Sequence, residues 1–112
     1  SSTARRAKTT SQLMATEWNY PQEKIILKPE LYHCSIATFI EVITQTDDSI
    51  NSAVIFSHNP GISLFADSLT PFDIENIPTC GVFAIHIRSN NWSKFQGAEK
   101  ELFFFEYPKL LE

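Results

Sequence analysis

A compact apolar run near the middle of the chain, Ser-Ala-Val-Ile-Phe at residues 52–56, sets the expectation for the whole fold. Runs of this length and composition are typical of strands that are buried on both faces of a parallel sheet. Asn59-Pro60-Gly61 follows the run and predicts the start of a helix, because proline is favoured in the first turn of a helix. The order strand, turn, helix indicates an α/β fold.

The rest of the chain continues this alternation of short apolar runs and helical spacing. The predicted helices span residues 3–18, 35–46 and 62–69, and the predicted strands span residues 24–32, 52–56, 82–87 and 102–107. A long polar turn separates the last two strands, which we expect to pair antiparallel, with the Phe103–Phe105 run as ordinary core. The whole pattern predicts one domain over residues 1–112 with a three-layer α/β/α fold. Its sheet is expected to be mostly parallel, with helices on both faces.

Composition narrows the class of protein and its partners. The 112 residues are 43% hydrophobic and 20% charged, as in an ordinary globular domain. A net charge of -4 and scattered basic residues argue against nucleic acid as a partner. No apolar run reaches the roughly 20 residues that a membrane span needs. Two isolated cysteines predict neither a zinc site nor a disulfide framework, so we expect a cytoplasmic protein without a metal or other cofactor.

Two predicted helices begin with residues that point to an anion. Arg5 and Arg6 lie in the first turn of the first helix, where the helix dipole disfavours a cation by up to about 1 kcal/mol. A bound phosphate would reverse that preference. His58 lies between a predicted strand and the next helix, at the edge where open α/β sheets bind ligands. On these grounds alone, two solvated arginines and a structurally bonded histidine remain alternative interpretations.

The residues around these helix starts resemble known motifs. Residues 1–10, Ser-Ser-Thr-Ala-Arg-Arg-Ala-Lys-Thr-Thr, are similar to S-S-P-x-x-R-A-x-x-T, and residues 57–61, Ser-His-Asn-Pro-Gly, are similar to G-H-N-P-G. Both motifs belong to SixA-type phosphohistidine phosphatases of the histidine phosphatase superfamily. Residues 75–82 are similar to the N-L-P-T-A-G-V turn of the family, and residues 102–108 resemble its closing strand. The resemblance thus covers nearly the whole chain.

The resemblance implies a phosphoryl transfer in which the histidine of an R-H-G motif attacks phosphorus. By matching position, Arg6 would hold the phosphoryl oxygens and His58 would donate to the same oxygens, so both are predicted catalytic residues. Arg5 matches no fixed position of the motif and is expected to support phosphate binding at most. Asn59 is expected to cap the helix that follows it. The implied partner is a protein phosphorylated on histidine, or a small phosphate-bearing substrate.

The chain also departs from the family pattern. It contains no R-H-G, so the nucleophile is expected in an N-terminal segment that precedes residue 1. Family members that act on alcohol esters use a carboxylic acid to protonate the leaving oxygen, and Glu30 is the only candidate for that role. Because imidazole leaves more easily than an alkoxide, a weak acid candidate favours phosphohistidine as substrate. His33 and His86 are expected to face outward, and the alternative function is a non-catalytic phosphate-binding or interaction module.

Overall fold

The computed structural model describes residues 1–71, 74–78 and 80–108. Over these residues the chain forms α-helices, short 3₁₀ helices and one antiparallel pair of strands. The α-helices are α1 (Arg5–Glu17), α2 (Ile36–Thr44) and α3 (Gly61–Ser68), and the strands are β1 (Val82–Arg88) and β2 (Glu99–Glu106). The 3₁₀ helices span Gln22–Lys24, Pro29–Leu31 and Trp92–Gly97. None of the described helices is long and apolar enough to cross a lipid bilayer.

Local sequence patterns predicted the helices and the final hairpin correctly. The three α-helices lie within the residues predicted from helical spacing, apart from one-residue differences at α3. Strands β1 and β2 pair antiparallel, with Val82 opposite Glu106 and Arg88 opposite Glu99, and a bulge interrupts the register at Ala84/Ile85. The predicted antiparallel pairing of the last two strands is therefore confirmed.

The predicted three-layer α/β/α fold with a mostly parallel sheet is wrong. In the described part of the chain the sheet has two strands, and neither residues 24–32 nor residues 52–56 form a strand. Val54 is 58% exposed, although the apolar run was expected to be buried on both faces. An apolar, β-branched composition favours strand conformation locally, but a strand also needs a second strand with which its backbone can form hydrogen bonds. Here these runs remain irregular.

Residues 1 and 2 tie these two irregular segments together. The Lys28 backbone N–H donates to the carbonyl oxygen of Ser1 at 2.8 Å, and the Ser2 N–H donates to the carbonyl oxygen of Phe56 at 2.9 Å. Ser2 is fully buried between the segments. Because α1 begins a few residues after Ser2, these bonds place the start of α1 beside the turn that contains His58.

Two small clusters of apolar side chains form the core. The first comprises Leu31, Phe39, Ile43, Phe65 and Phe95. The rings of Phe39 and Phe65 stack with their centres 4.7 Å apart, which joins α2 to α3. The second cluster comprises Ala66, Ile74 and Ile77, with Phe83 and Phe105 of the hairpin packed against it. Phe103, in contrast, is 61% exposed, so the prediction that the whole Phe103–Phe105 run is core is wrong.

Candidate functional site

His58 lies in the turn that leads into α3, next to the loop that follows Leu31. The Ser57 hydroxyl donates to the Leu31 carbonyl oxygen at 3.2 Å. The Ile62 N–H donates to the His58 carbonyl oxygen at 3.2 Å, which fixes the turn to the first residues of the helix. These bonds hold the loop at residues 31–34 against the turn at residues 57–60.

Gly61 allows this close contact between the two loops. A Cβ atom at this position would lie 2.9 Å from the Cys34 carbonyl oxygen and 3.6 Å from the Phe39 ring. A backbone oxygen at that distance leaves no room for a side chain, so glycine lets the start of α3 approach the Cys34 backbone. The approach brings residues 33 and 34 to His58.

Asn59 links the turn to residues 74–78 through hydrogen bonds. Its Nδ2 donates to the Ile77 carbonyl oxygen at 2.9 Å, and its Oδ1 accepts a hydrogen bond from the Ser63 hydroxyl. The Ser63 oxygen in turn accepts from the Ile77 N–H at 2.8 Å. The prediction that Asn59 caps α3 is wrong, because this helix has no side-chain cap and Pro60 is its N-cap residue. Asn59 instead joins the site to residues 74–78.

Three aromatic rings meet edge to face at the site. The centre of the His58 ring lies 5.2 Å from that of His33 and 5.4 Å from that of Tyr32. Tyr32 and His33 are themselves 4.4 Å apart. His33 is an exposed loop residue with a φ of 51°, in the left-handed region that few residues with a side chain adopt. The structure therefore brings together two histidines that are far apart in the sequence.

The environment of His58 disfavours a positive charge on its ring. Burial lowers the pKa of the imidazole below its ordinary value of 6.5, and the charges of His33 and Arg6 lower that pKa further. The Nδ1 atom is buried and has no hydrogen-bond partner among the described residues. A bound anion would favour a proton on the His58 ring and would offset the positive charge of Arg6.

A pocket of about 150 Å³ opens beside these rings. Its lining residues are His33, Cys34, His58, Asn59, Pro60, Gly61 and Leu64. None of these described lining residues is acidic. Since a water molecule occupies about 30 Å³, the pocket has room for a group the size of a phosphoryl group. Burial raises the pKa of the Cys34 thiol, which keeps it in its neutral and less nucleophilic form.

The other predicted site residues lie at different distances from this pocket. Arg6 is exposed in the first turn of α1 and is not among the pocket-lining residues, although its charge acts on His58. Arg5 is exposed beside it. Glu30 lies in the Pro29–Leu31 helix and is not among the pocket-lining residues, and His86 lies on β1, where its ring contacts Phe103 at 4.5 Å.

Sequence reasoning missed the contribution of His33. No local motif marks this histidine, because its place at the site depends on the contact between Gly61 and Cys34. The glycine at position 61 was the available signal, since a glycine at the first residue of a helix indicates a close neighbour.

A second pocket has a volume of about 400 Å³, and its lining residues are Arg88, Ser89, Lys94, Gly97 and Ala98. Its arginine is already engaged, because the Arg88 guanidinium donates to the Glu101 carboxylate through both Nε and Nη2. The histidine pocket, whose described lining residues include no carboxylate, is the stronger candidate for an anion site.

Comparisons of the chain with protein-family models, with curated proteins and with solved structures gave no match. The function of this chain is therefore inferred from the residues of this site and from the motifs that contain them.

Proposed function

We propose that this chain supplies the phosphoryl-holding residues of a phosphohistidine phosphatase, with Arg6 and His58 as the residues that hold the phosphoryl group. One observation carries the proposal: the Nδ1 atom of His58 is buried without a hydrogen-bond partner among the described residues, at a pocket whose described lining residues include no carboxylate. The charge of Arg6 also acts on this imidazole, although 51 residues separate the two in the sequence. A phosphoryl dianion bound between the two side chains would turn their repulsion into attraction.

Two further features support a phosphate ligand over other anions. Arg6 lies in the first turn of α1, and His58 lies in the turn two residues before the N-cap of α3; backbone N–H groups at the start of a helix favour a negative charge. The segments that contain them are those that resemble the phosphatase motifs. This support comes from the local arrangement of the two segments and is independent of the three-layer fold that the resemblance implied.

In the proposed reaction an imidazole nitrogen of the enzyme attacks phosphorus in line. A nitrogen–phosphorus bond to the enzyme forms while that of the substrate breaks, and the electron pair stays on the leaving imidazole, which takes up a proton. Water then attacks the phosphoenzyme, releases inorganic phosphate and restores the enzyme imidazole. The proposal assigns this nucleophile to an R-H-G motif outside the 112 residues, which contain none.

Arg6 and His58 would act on the phosphoryl oxygens during both steps. A guanidinium donates to two oxygens of a phosphoryl group at once, and an imidazole N–H donates to another. Most of the catalysis in this class of reaction comes from such positioning and charge stabilisation. Arg5 takes a supporting role. The substrate would be a phosphorylated protein of the cytoplasm, a compartment in which both cysteines would remain the free thiols seen here.

A titration of the protein with inorganic phosphate, with calorimetry as the readout, tests the proposal. We expect Arg6→Gln and His58→Gln each to weaken phosphate binding by about tenfold or more, on the scale of a hydrogen bond to a charged group. Lys8→Gln removes the same charge from an exposed position of α1 and should leave the affinity within about twofold. No saturable binding by the unmodified chain, or an equal loss in Lys8→Gln, would contradict the site.

The absence of R-H-G from these residues favours a second candidate function, a module that binds phosphorylated protein without turnover. Hydrolysis of a phosphohistidine peptide by the natural full-length protein separates the two functions. In an enzyme, Arg6→Ala and His58→Ala should each reduce turnover by about 100-fold, as expected for the loss of a preorganised donor. Phosphate binding without turnover would establish the module instead.

A further inference from the structure

We infer that His33 is a third phosphoryl-binding residue, which donates a hydrogen bond from the mouth of the pocket to the group that His58 and Arg6 hold. This inference rests on the proposed function and extends it to a residue that no motif marks. The ligand would be a phosphoryl group held between two imidazoles.

The placement of the two rings allows both to reach one phosphoryl group. His33 and His58 line the same pocket, with ring centres 5.2 Å apart and ring planes at 90°. Charge-assisted N–H···O bonds are about 2.8 Å long, so rings at this separation can donate to different oxygens of one group. His33 is exposed and His58 is half-buried, so His33 lies on the side from which a ligand enters.

The backbone at His33 also favours a role in binding. Its φ of 51° lies in the left-handed region, which few residues with a side chain adopt, although histidine is one of those that adopt it more often. Such conformations are concentrated at ligand-binding sites, where surrounding contacts impose them. Here the contact is that of the next residue, Cys34, with Gly61. Because His33 is exposed, burial of its ring in the core does not explain why the chain holds it in this conformation.

Among the described residues, Arg6 forms no salt bridge that would offset its charge near the two rings. The titratable and charged groups that face His58 are Arg6 on α1 and Tyr32, His33 and Cys34 on the neighbouring loop. The pocket-lining residues in the described ranges include no carboxylate. A phosphoryl dianion would supply a negative charge to the guanidinium and would accept hydrogen bonds from both imidazoles.

The test uses the three histidines of the chain, of which His86 is an internal control. Imidazole proton signals are followed by NMR while inorganic phosphate is added near pH 6. We expect the signals of His33 and His58 to move with the same saturation curve, and those of His86 to stay in place. A matched pair of variants adds an affinity measurement. His33→Asn keeps a residue that tolerates the left-handed backbone and should weaken binding by about tenfold, whereas His86→Gln should leave it unchanged.

The outcomes separate this inference from the proposed function. If phosphate moves the His58 signals alone and His33→Asn binds phosphate normally, the inference is overturned and the proposed site stands. If neither His58 nor His33 responds, the proposed site fails and the inference fails with it. An equal response of all three histidines would show only unspecific anion binding and would overturn both.

Discussion

At the scale of single residues, two features of His58 are unfavourable in the free protein. Its Nδ1 atom is buried without a hydrogen-bond partner among the described residues, and the charges of His33 and Arg6 disfavour a proton on its ring. Both properties cost folding free energy in the free protein, since a buried polar atom normally has a hydrogen-bond partner and like charges repel. The proposed anion would relieve both costs when it binds.

The lowered pKa of His58 predicts a pH dependence of stability. The folded state takes up the His58 proton at a lower pH than the unfolded state, whose pKa is near 6.5. The unfolded state thus binds more protons as the pH falls below about 6.5, and the free energy of unfolding decreases in that range. Thermal melts between pH 7.5 and pH 5.5 should show a smaller decrease in Tm for His58→Gln than for the unmodified chain. An identical decrease in both would contradict the assignment of this titration to His58.

At the scale of elements, the start of α3 determines whether the two loops of the site meet. Gly61 contacts the Cys34 backbone, and Asn59 and Ser63 bind the backbone of Ile77. The helix thereby holds the His33 loop on one side and residues 74–78 on the other. The geometry of the pocket depends on these backbone contacts more than on the length of any helix.

Gly61→Ala tests this dependence, with Gly97→Ala as its matched control. The new methyl group at position 61 would meet a backbone oxygen at 2.9 Å, whereas nothing lies within 4 Å of a Cβ atom at Gly97. We expect Gly61→Ala to lower the free energy of unfolding by about 1–3 kcal/mol and to weaken phosphate binding. Gly97→Ala should change stability by less than about 0.5 kcal/mol. Urea unfolding measures both variants, and equal stability of the two would show that the contact is not restrictive.

At the scale of the whole molecule, the core is small and draws on segments without regular structure. Phe95, in the stretch predicted to be a polar turn, is 1% exposed and packs with Phe65, Ile43 and Leu31. The connection between the strands of the hairpin is therefore part of the core and joins the hairpin to α2.

Phe95→Ala should show how much the fold depends on this connection. Removal of a buried phenylalanine ring costs about 3–5 kcal/mol, a large part of the 5–15 kcal/mol typical of a domain. Phe103→Ala removes the same ring from a position that is 61% exposed and should cost less than about 1 kcal/mol. Chemical denaturation of the two variants gives the comparison. A smaller effect at Phe95 than at Phe103 would contradict the assignment of the core.

The successes and errors of the sequence predictions have a common physical origin. Helices α1, α2 and α3 depend on hydrogen bonds between near neighbours, and the hairpin joins strands that are close in sequence, so local patterns sufficed. Residues 52–56 have strand composition, but their state depends on a distant partner, and the sequence does not show whether one is present.

The same distinction applies to the site. Arg6 and His58 could be selected because each lies at the start of a predicted helix, a position that a local pattern reveals. His33 was not selected, because its place beside His58 depends on the approach of Cys34 to Gly61, which only the glycine at position 61 hinted at. Residues fixed by local structure were accessible to sequence reasoning, whereas residues fixed by tertiary contacts were not.

The residues proposed to bind phosphate lie in three separate segments of the chain, at positions 6, 33 and 58. A single anion bound to all three would act as a cross-link that closes two long chain loops at once. Because such a ligand binds the folded state and not the unfolded one, its binding free energy adds to the stability of the fold. The substrate would then join the three segments at the site where it reacts, and release of the product would remove that connection.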